Sequence, residues 1–192
     1  MIEALFALLG TVIGFVLSEW ATTRRENRNE KRQAQTVRAL IGLEIERNLS
    51  LLRDFWSQLK TTPLPENDAA ANKRRLAQRF VELPLPEWKQ RVLDSQLSFL
   101  PLAIHEKEVT QVFLFYDRLS NLQACRAQLT VLSQDKTQQQ RADRQTFRGE
   151  PMPISGYVPP KFDTNAPAIW DQCESIVAEI EAEGNPLRSS KL

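Results

Sequence analysis

Histidine occurs once, cysteine twice and glycine six times among the 192 residues, and each shortage excludes a class of chemistry. Metal centres and nucleophile–base pairs draw on His and Cys, and phosphate loops draw on Gly. No G-x-x-x-x-G-K, G-x-S-x-G or H-E-x-x-H pattern occurs. Cys125 and Cys173 lack C-x-x-C spacing and the density of a disulfide scaffold. They read as two reduced thiols that act as small core residues. An excess of one charge is also missing. The 25 Lys and Arg nearly balance 24 Asp and Glu, for a formal net charge of +1, which argues against nucleic acid as a partner. No cofactor is called for, and the chain reads as non-enzymatic.

The one residue of catalytic type, His105, follows the Pro101 connection and precedes Glu106 and Glu108, the composition of a helix start. Helical RNases of the HEPN class carry Arg shortly before the catalytic His, whereas Ser98, Phe99, Leu100 and Pro101 stand in that region here. Glu44, Glu46, Glu106, Glu108 and Asp117 lack the E-x-x-H pairing of a di-iron bundle. Glu44 reads instead as a surface partner of Arg47 or Asn48 at helical spacing.

Long apolar runs are also scarce, with one exception. Ala4 to Leu17 carries no charge, and the wider stretch from Ile2 to Trp20 would extend about 28 Å as a helix, close to a bilayer core of roughly 30 Å. A cleaved signal peptide would begin with positive charge and end on small residues. Here the only early charge is Glu3, and the run exits through Ser18, Glu19 and Trp20. The run therefore predicts a transmembrane anchor over 1–21. Arg24, Arg25, Arg28, Lys31 and Arg32 crowd its far flank, so the positive-inside rule puts the N-terminus outside and the rest in the cytoplasm, at a cell inner membrane. Trp20 and those five basic residues form the expected membrane-interface set, in contact with the lipid bilayer. Gly10, Gly14 and Ser18 make one small-residue stripe suited to helix packing and a homo-oligomer. Thr11 and Ser18 are the only polar groups for a pore lining, so a pore would be largely apolar and gated by dewetting.

Beyond the anchor, 22–36 reads as a basic helical linker and 37–183 as a cytoplasmic, all-α domain. The long helix continues with Ile41, Ile45, Asn48, Leu52, Phe55 and Leu59 in 4-3-4-3-4 spacing, broadened by Leu49 and Trp56. This seam serves as a core or oligomer face. Asn48 in its middle either fixes register or bonds a neighbouring loop. Pro63 and Pro65 end that helix, and Asn67 or Asp68 caps a second one running to about Val81. Glu87 to Ser98 predicts a short helix with Trp88, Val92 and Leu97 inward, followed by a buried apolar connection over 99–104. A fourth helix from His105 turns Val109, Val112, Tyr116, Leu119, Leu122, Leu129 and Leu132 to one side, as partner of the Ile41–Leu59 face. Its polar continuation past Leu132 reads as a helical extension or a loop. A Pro- and Gly-rich arm over 149–167 is expected to strap onto the bundle through Ile154, Tyr157, Val158 and Phe162. Pro167 then opens a last helix that stops at Gly184-Asn185-Pro186. The remainder, 184–192, reads as a disordered tail whose final Ser190-Lys191-Leu192 spells a peroxisomal signal.

The anchor, the basic linker, the helix LEIERNLSLL at 43–52 and the later Trp88, Leu100-Pro101 and Phe115-Tyr116 positions together resemble small bacterial single-pass membrane proteins with a cytoplasmic helical domain. Some proteins of that layout look like accessories of antiviral defence, including oligomers that perturb the membrane. The sequence as a whole reads as a membrane-anchored module that self-associates and binds or scaffolds a cytoplasmic protein partner, with an oligomeric membrane pore, which the resemblance implies, as the alternative.

Overall fold

The computed structural model describes 2–61, 68–146 and 160–188, the side chains of 2–12 and 140–146 excepted. Every regular element among the described residues is helical. Three long helices dominate: α1 (Ile2–Lys60), α5 (Glu106–Thr146) and α6 (Lys161–Glu183). α2 (Ala69–Glu82) and the short α3 (Arg91–Ser95) and α4 (Leu100–Ala103) complete the set, with a 3-10 turn at Leu97–Phe99 between the last two.

Local chemistry accounts for most of the boundaries. Asp68 caps α2, its Oδ1 accepting the Ala70 and Ala71 backbone N–H groups at 2.9 and 3.1 Å, donors that a first helical turn leaves without partners. Leu83 ends that helix in an extended conformation, as the following Pro84 requires. His105 precedes α5, and its N–H reaches back to Glu108 Oε2 at 3.2 Å, one half of a capping box. Gly184 ends α6 at φ +61°, a left-handed value that glycine adopts without the steric cost of a Cβ.

The interior is one cluster. Ile41, Ile45, Leu49, Leu52, Phe55, Trp56 and Leu59 of α1 meet Leu76, Ala77 and Phe80 of α2, the inner faces of α5 and α6, and Leu93, Leu100 and Ile104 from the connecting turns. α6 packs against both α2 and α5. α5 and α6 run antiparallel: Lys136 Nζ meets Asp163 Oδ1 at 2.7 Å at one end, and Arg118 pairs with Glu179 and Glu183 at the other.

Several expectations change. α5 has α6, not α1, as its closest backbone companion, because α6 presents Phe162, Ala166, Trp170, Cys173, Val177 and Ile180 as a continuous buried stripe. α1 is reached by longer side chains. α6 begins at Lys161, before Pro167, which sits inside the helix. There its ring removes only the bond to Asp163 C=O. The segment from Glu87 has no regular structure until Arg91, and Leu97 is 48% exposed while Leu93 is buried. Leu100 and Ile104 of the apolar connection are inside, but Leu102 is 65% exposed, because Pro101 at the start of α4 sets a new helical register there. Past Leu132, α5 continues as helix to Thr146. The chain after Glu183 is not a disordered tail as far as Arg188. Asn185 Nδ2 donates to Gly42 C=O and Glu46 Oε1, both at 3.1 Å, and Leu187 is buried against the core. Pro63, Pro65, the arm residues Ile154, Tyr157 and Val158, and Ser190-Lys191-Leu192 lie outside the described residues.

Asn48 is fully buried and bonds a loop. Its Nδ2 donates to Lys89 C=O at 2.8 Å and its Oδ1 accepts Lys89 N–H at 3.0 Å. One amide thus satisfies both backbone groups of a residue in the irregular segment, where neither helix nor sheet would do so. Asn48→Ala is expected to cost about 1–3 kcal/mol in urea unfolding and to speed proteolysis between Pro84 and Gln90. Unchanged proteolysis would dissociate the pair from the loop's order.

Candidate functional surface on the long helix

α1 is one uninterrupted helix with two different halves. From Val37 onward a face of it is core. From Ile13 to Thr36 nearly every described side chain is exposed, Ala34 alone being half-covered. Residues 15–41 contain no Gly or Pro, so the helix carries through from one regime to the other without a breaker. At about 1.5 Å per residue, the free stretch holds the bundle roughly 35 Å away from Ile13.

The residues expected at a membrane interface fall in this free stretch. Trp20 is 59% exposed, and the Arg24 guanidinium lies 5.0 Å from its ring centroid, within cation–π range. Arg25, Arg28, Lys31 and Arg32 follow on exposed positions. Thr22 and Thr23 donate their hydroxyls to the Ser18 and Glu19 carbonyls at 2.9 Å, so these polar groups need no outside acceptor. Ile13, Phe15, Val16 and Leu17 are all more than half exposed. Among the described residues, no helix is long and apolar enough to cross a membrane. The apolar run before Ile13 has its side chains outside that description.

Of the small-residue stripe, Gly14 and Ser18 are described and Gly10 is not. A Cβ built on Gly14 meets nothing within 4 Å. Among the described residues nothing therefore requires glycine there, and Ser18 is exposed on the same side one turn on. The seam residues Ile41, Ile45, Asn48, Leu52, Phe55, Trp56 and Leu59 are all buried within the chain itself. They build this bundle's interior, so that face of α1 is not open to a second copy.

Where the free stretch enters the bundle, three side chains of α1 hold it. Arg38 makes a two-pronged contact with Glu108, Nη1 to Oε2 at 2.7 Å and Nη2 to Oε1 at 2.8 Å, and also reaches Leu187 C=O at 3.5 Å. The bond to Glu108 raises the Arg38 pKa against the opposing effect of burial. Glu46 accepts from Asn185. Glu44, expected on the surface beside Arg47, is instead buried. It accepts the Tyr116 hydroxyl at 2.6 Å and the Val92 N–H at 2.9 Å. Burial first, and the bond to Glu44 second, push the Tyr116 phenol far above its ordinary pKa. Sequence spacing missed Glu44 because a helical i,i+3 neighbour is visible in one dimension and a tyrosine 72 positions away is not. The nearest signal was its place one turn before Asn48, on the same side of α1.

Beside this junction, a cleft of about 560 Å3 runs along α1, with Arg32, Gln33, Thr36 and Leu40 on one wall and Gln96 on the other. Leu40 and Leu43 are exposed next to it on α1. His105 is exposed, and its backbone N–H donates to Glu108 at the start of α5. Comparison with protein-family models, with curated proteins and with solved structures finds no match to this chain.

Proposed function

We propose that the chain is a membrane-anchored, non-enzymatic helical module that self-associates through its anchor and presents a rigid bundle to a cytoplasmic protein partner at the inner membrane. The supporting observation is the division of α1, whose C-terminal half is bundle core while its N-terminal half projects free with apolar, aromatic and then basic residues in that order. That order matches the succession of hydrocarbon, headgroup and aqueous layers. Among the described residues, the buried polar or charged side chains Glu44, Asn48 and Glu108 all bond within the fold, so they act as structural ties. Gly14 supports the self-association, because its open surroundings leave room for a second backbone.

Alkaline-carbonate extraction of membranes from cells expressing the full chain tests the anchor. The wild type is expected in the pellet, and Leu9→Arg with Val12→Arg is expected to shift most of it to the supernatant, since each arginine at the middle of an inserted helix costs about 2.5–3.5 kcal/mol. Recovery of the wild type in the supernatant would overturn the reading. In detergent, Gly10→Leu with Gly14→Leu is expected to convert the oligomer to monomer while leaving the helicity unchanged. A wild-type monomer would remove the self-association.

A further inference from the structure

The two cysteines have no part in the proposal above, and the fold brings them together. Cys125 is on α5 and Cys173 on α6, both buried. Their position follows from the register of the two helices: the ion pairs Lys136–Asp163 and Arg118–Glu179 bracket them, and Cys125, seven residues after Arg118, stands at the level of Cys173, six residues before Glu179. Both side chains belong to the one buried core cluster. Glu106-to-Thr146 and Lys161-to-Glu183 are helical throughout and pack on each other, so the two buried thiols stand at one level on rigid neighbouring supports.

We propose that Cys125 and Cys173 form a buried dithiol that oxidises to an intramolecular disulfide and locks α5 to α6. A low-molecular-weight disulfide such as oxidised glutathione is a sufficient oxidant. The thiolate of one cysteine attacks it, forming a mixed disulfide and releasing one glutathione thiolate, which takes up a proton. The second cysteine, deprotonated, attacks the protein sulfur of that mixed disulfide and releases the second glutathione thiolate. Two protein thiols are oxidised and one glutathione disulfide is reduced to two thiols.

Burial sets how the device behaves. It raises both thiols above the ordinary cysteine range, so the thiolate fraction at neutral pH is small and the resting pair is inert. Oxidant gains access only when α5 and α6 part locally. The adjacent partner sulfur then resolves the mixed disulfide before the helices close over it. The bond closes a loop through the second half of α5, the connection to Lys161 and the first half of α6, and stabilises the fold by restricting the unfolded chain.

The test treats the full, folded chain with oxidised glutathione and follows intact mass, non-reducing peptide mapping and thermal unfolding. The expected product has lost two hydrogens, carries no glutathione and yields one linked peptide pair containing Cys125 and Cys173. Its unfolding midpoint is expected to rise by roughly 5–10 °C and to return on reduction. Ellman's reagent is expected to release its chromophore from both sulfurs and leave no label. In Cys125→Ala or Cys173→Ala, with helicity checked by circular dichroism, the remaining thiol is expected to retain a label. A stable glutathione adduct on the wild type, or a disulfide that forms only after urea has unfolded the chain, would overturn the proposal. Because the wild-type measurement stands alone, a variant that fails to fold leaves the test intact.

Discussion

Trp170→Ala is expected to remove about 3–5 kcal/mol of stability, the range for deleting a large aromatic from a packed core. Trp170 is 1% exposed and stacks on Trp56 with ring centroids 5.1 Å apart and planes 4° from parallel. Phe80 meets both indoles edge-on, at 6.1 Å from Trp170 and 6.4 Å from Trp56, and meets Phe55 at 5.7 Å. α1, α2 and α6 converge on this cluster, so truncation opens a cavity where three helices share one wall. Each aromatic pair also adds about 0.5–1.5 kcal/mol beyond its buried area. Against a total stability of about 5–15 kcal/mol, such a loss leaves much of the population unfolded at modest temperature. Urea unfolding followed by far-ultraviolet circular dichroism measures it. A loss below about 1 kcal/mol would mean that the helices collapse onto the gap and that the stack is dispensable.

Arg38→Ala is expected to cost a similar amount, about 3–5 kcal/mol, for an electrostatic reason. The Arg38 and Glu108 side chains are only 10% and 12% exposed, so removing the guanidinium takes the two-pronged charge partner from a mostly buried carboxylate that keeps its bond from the His105 N–H. The same argument predicts the rescue. Replacing both partners with apolar residues of similar volume, Arg38→Met with Glu108→Leu, is expected to recover most of the loss, because the desolvation cost of both charges disappears with them. Hydrogen exchange gives a local readout: in Arg38→Ala the N–H groups near Leu187 are expected to exchange faster, since Arg38 also reaches that carbonyl. A double variant no more stable than Arg38→Ala would show that the pair's contribution is packing rather than charge.

The helices were legible in the sequence because each needs only local information. Ile41 to Leu59 repeats at helical spacing, and all of those positions are buried. Asp68 and Gly184 stand at the ends their chemistry predicts. Errors gathered where a short segment's register depends on what lies across from it. Leu97 and Leu102 look like core residues in a one-dimensional pattern, yet they point outward because Leu93, Leu100 and Ile104 take the inward sites. Pro167 suggested a helix start, but a proline within the first two turns forfeits a single backbone bond and can be carried inside a helix that begins earlier.

By itself the sequence determined the all-helical class, the capping positions, the core stripe of α1 and the order of apolar, aromatic and basic residues along its free half. These follow from periodicity, propensity and charge, which are properties of neighbours in the chain. Pairings belonged to the tertiary structure alone. Tyr116 finds Glu44, Arg38 finds Glu108, Asn48 finds Lys89, and Asn185 returns to Gly42. Each joins residues at least 41 positions apart. Burial turns such meetings into strong constraints, because a polar group removed from water must find its partner within the fold.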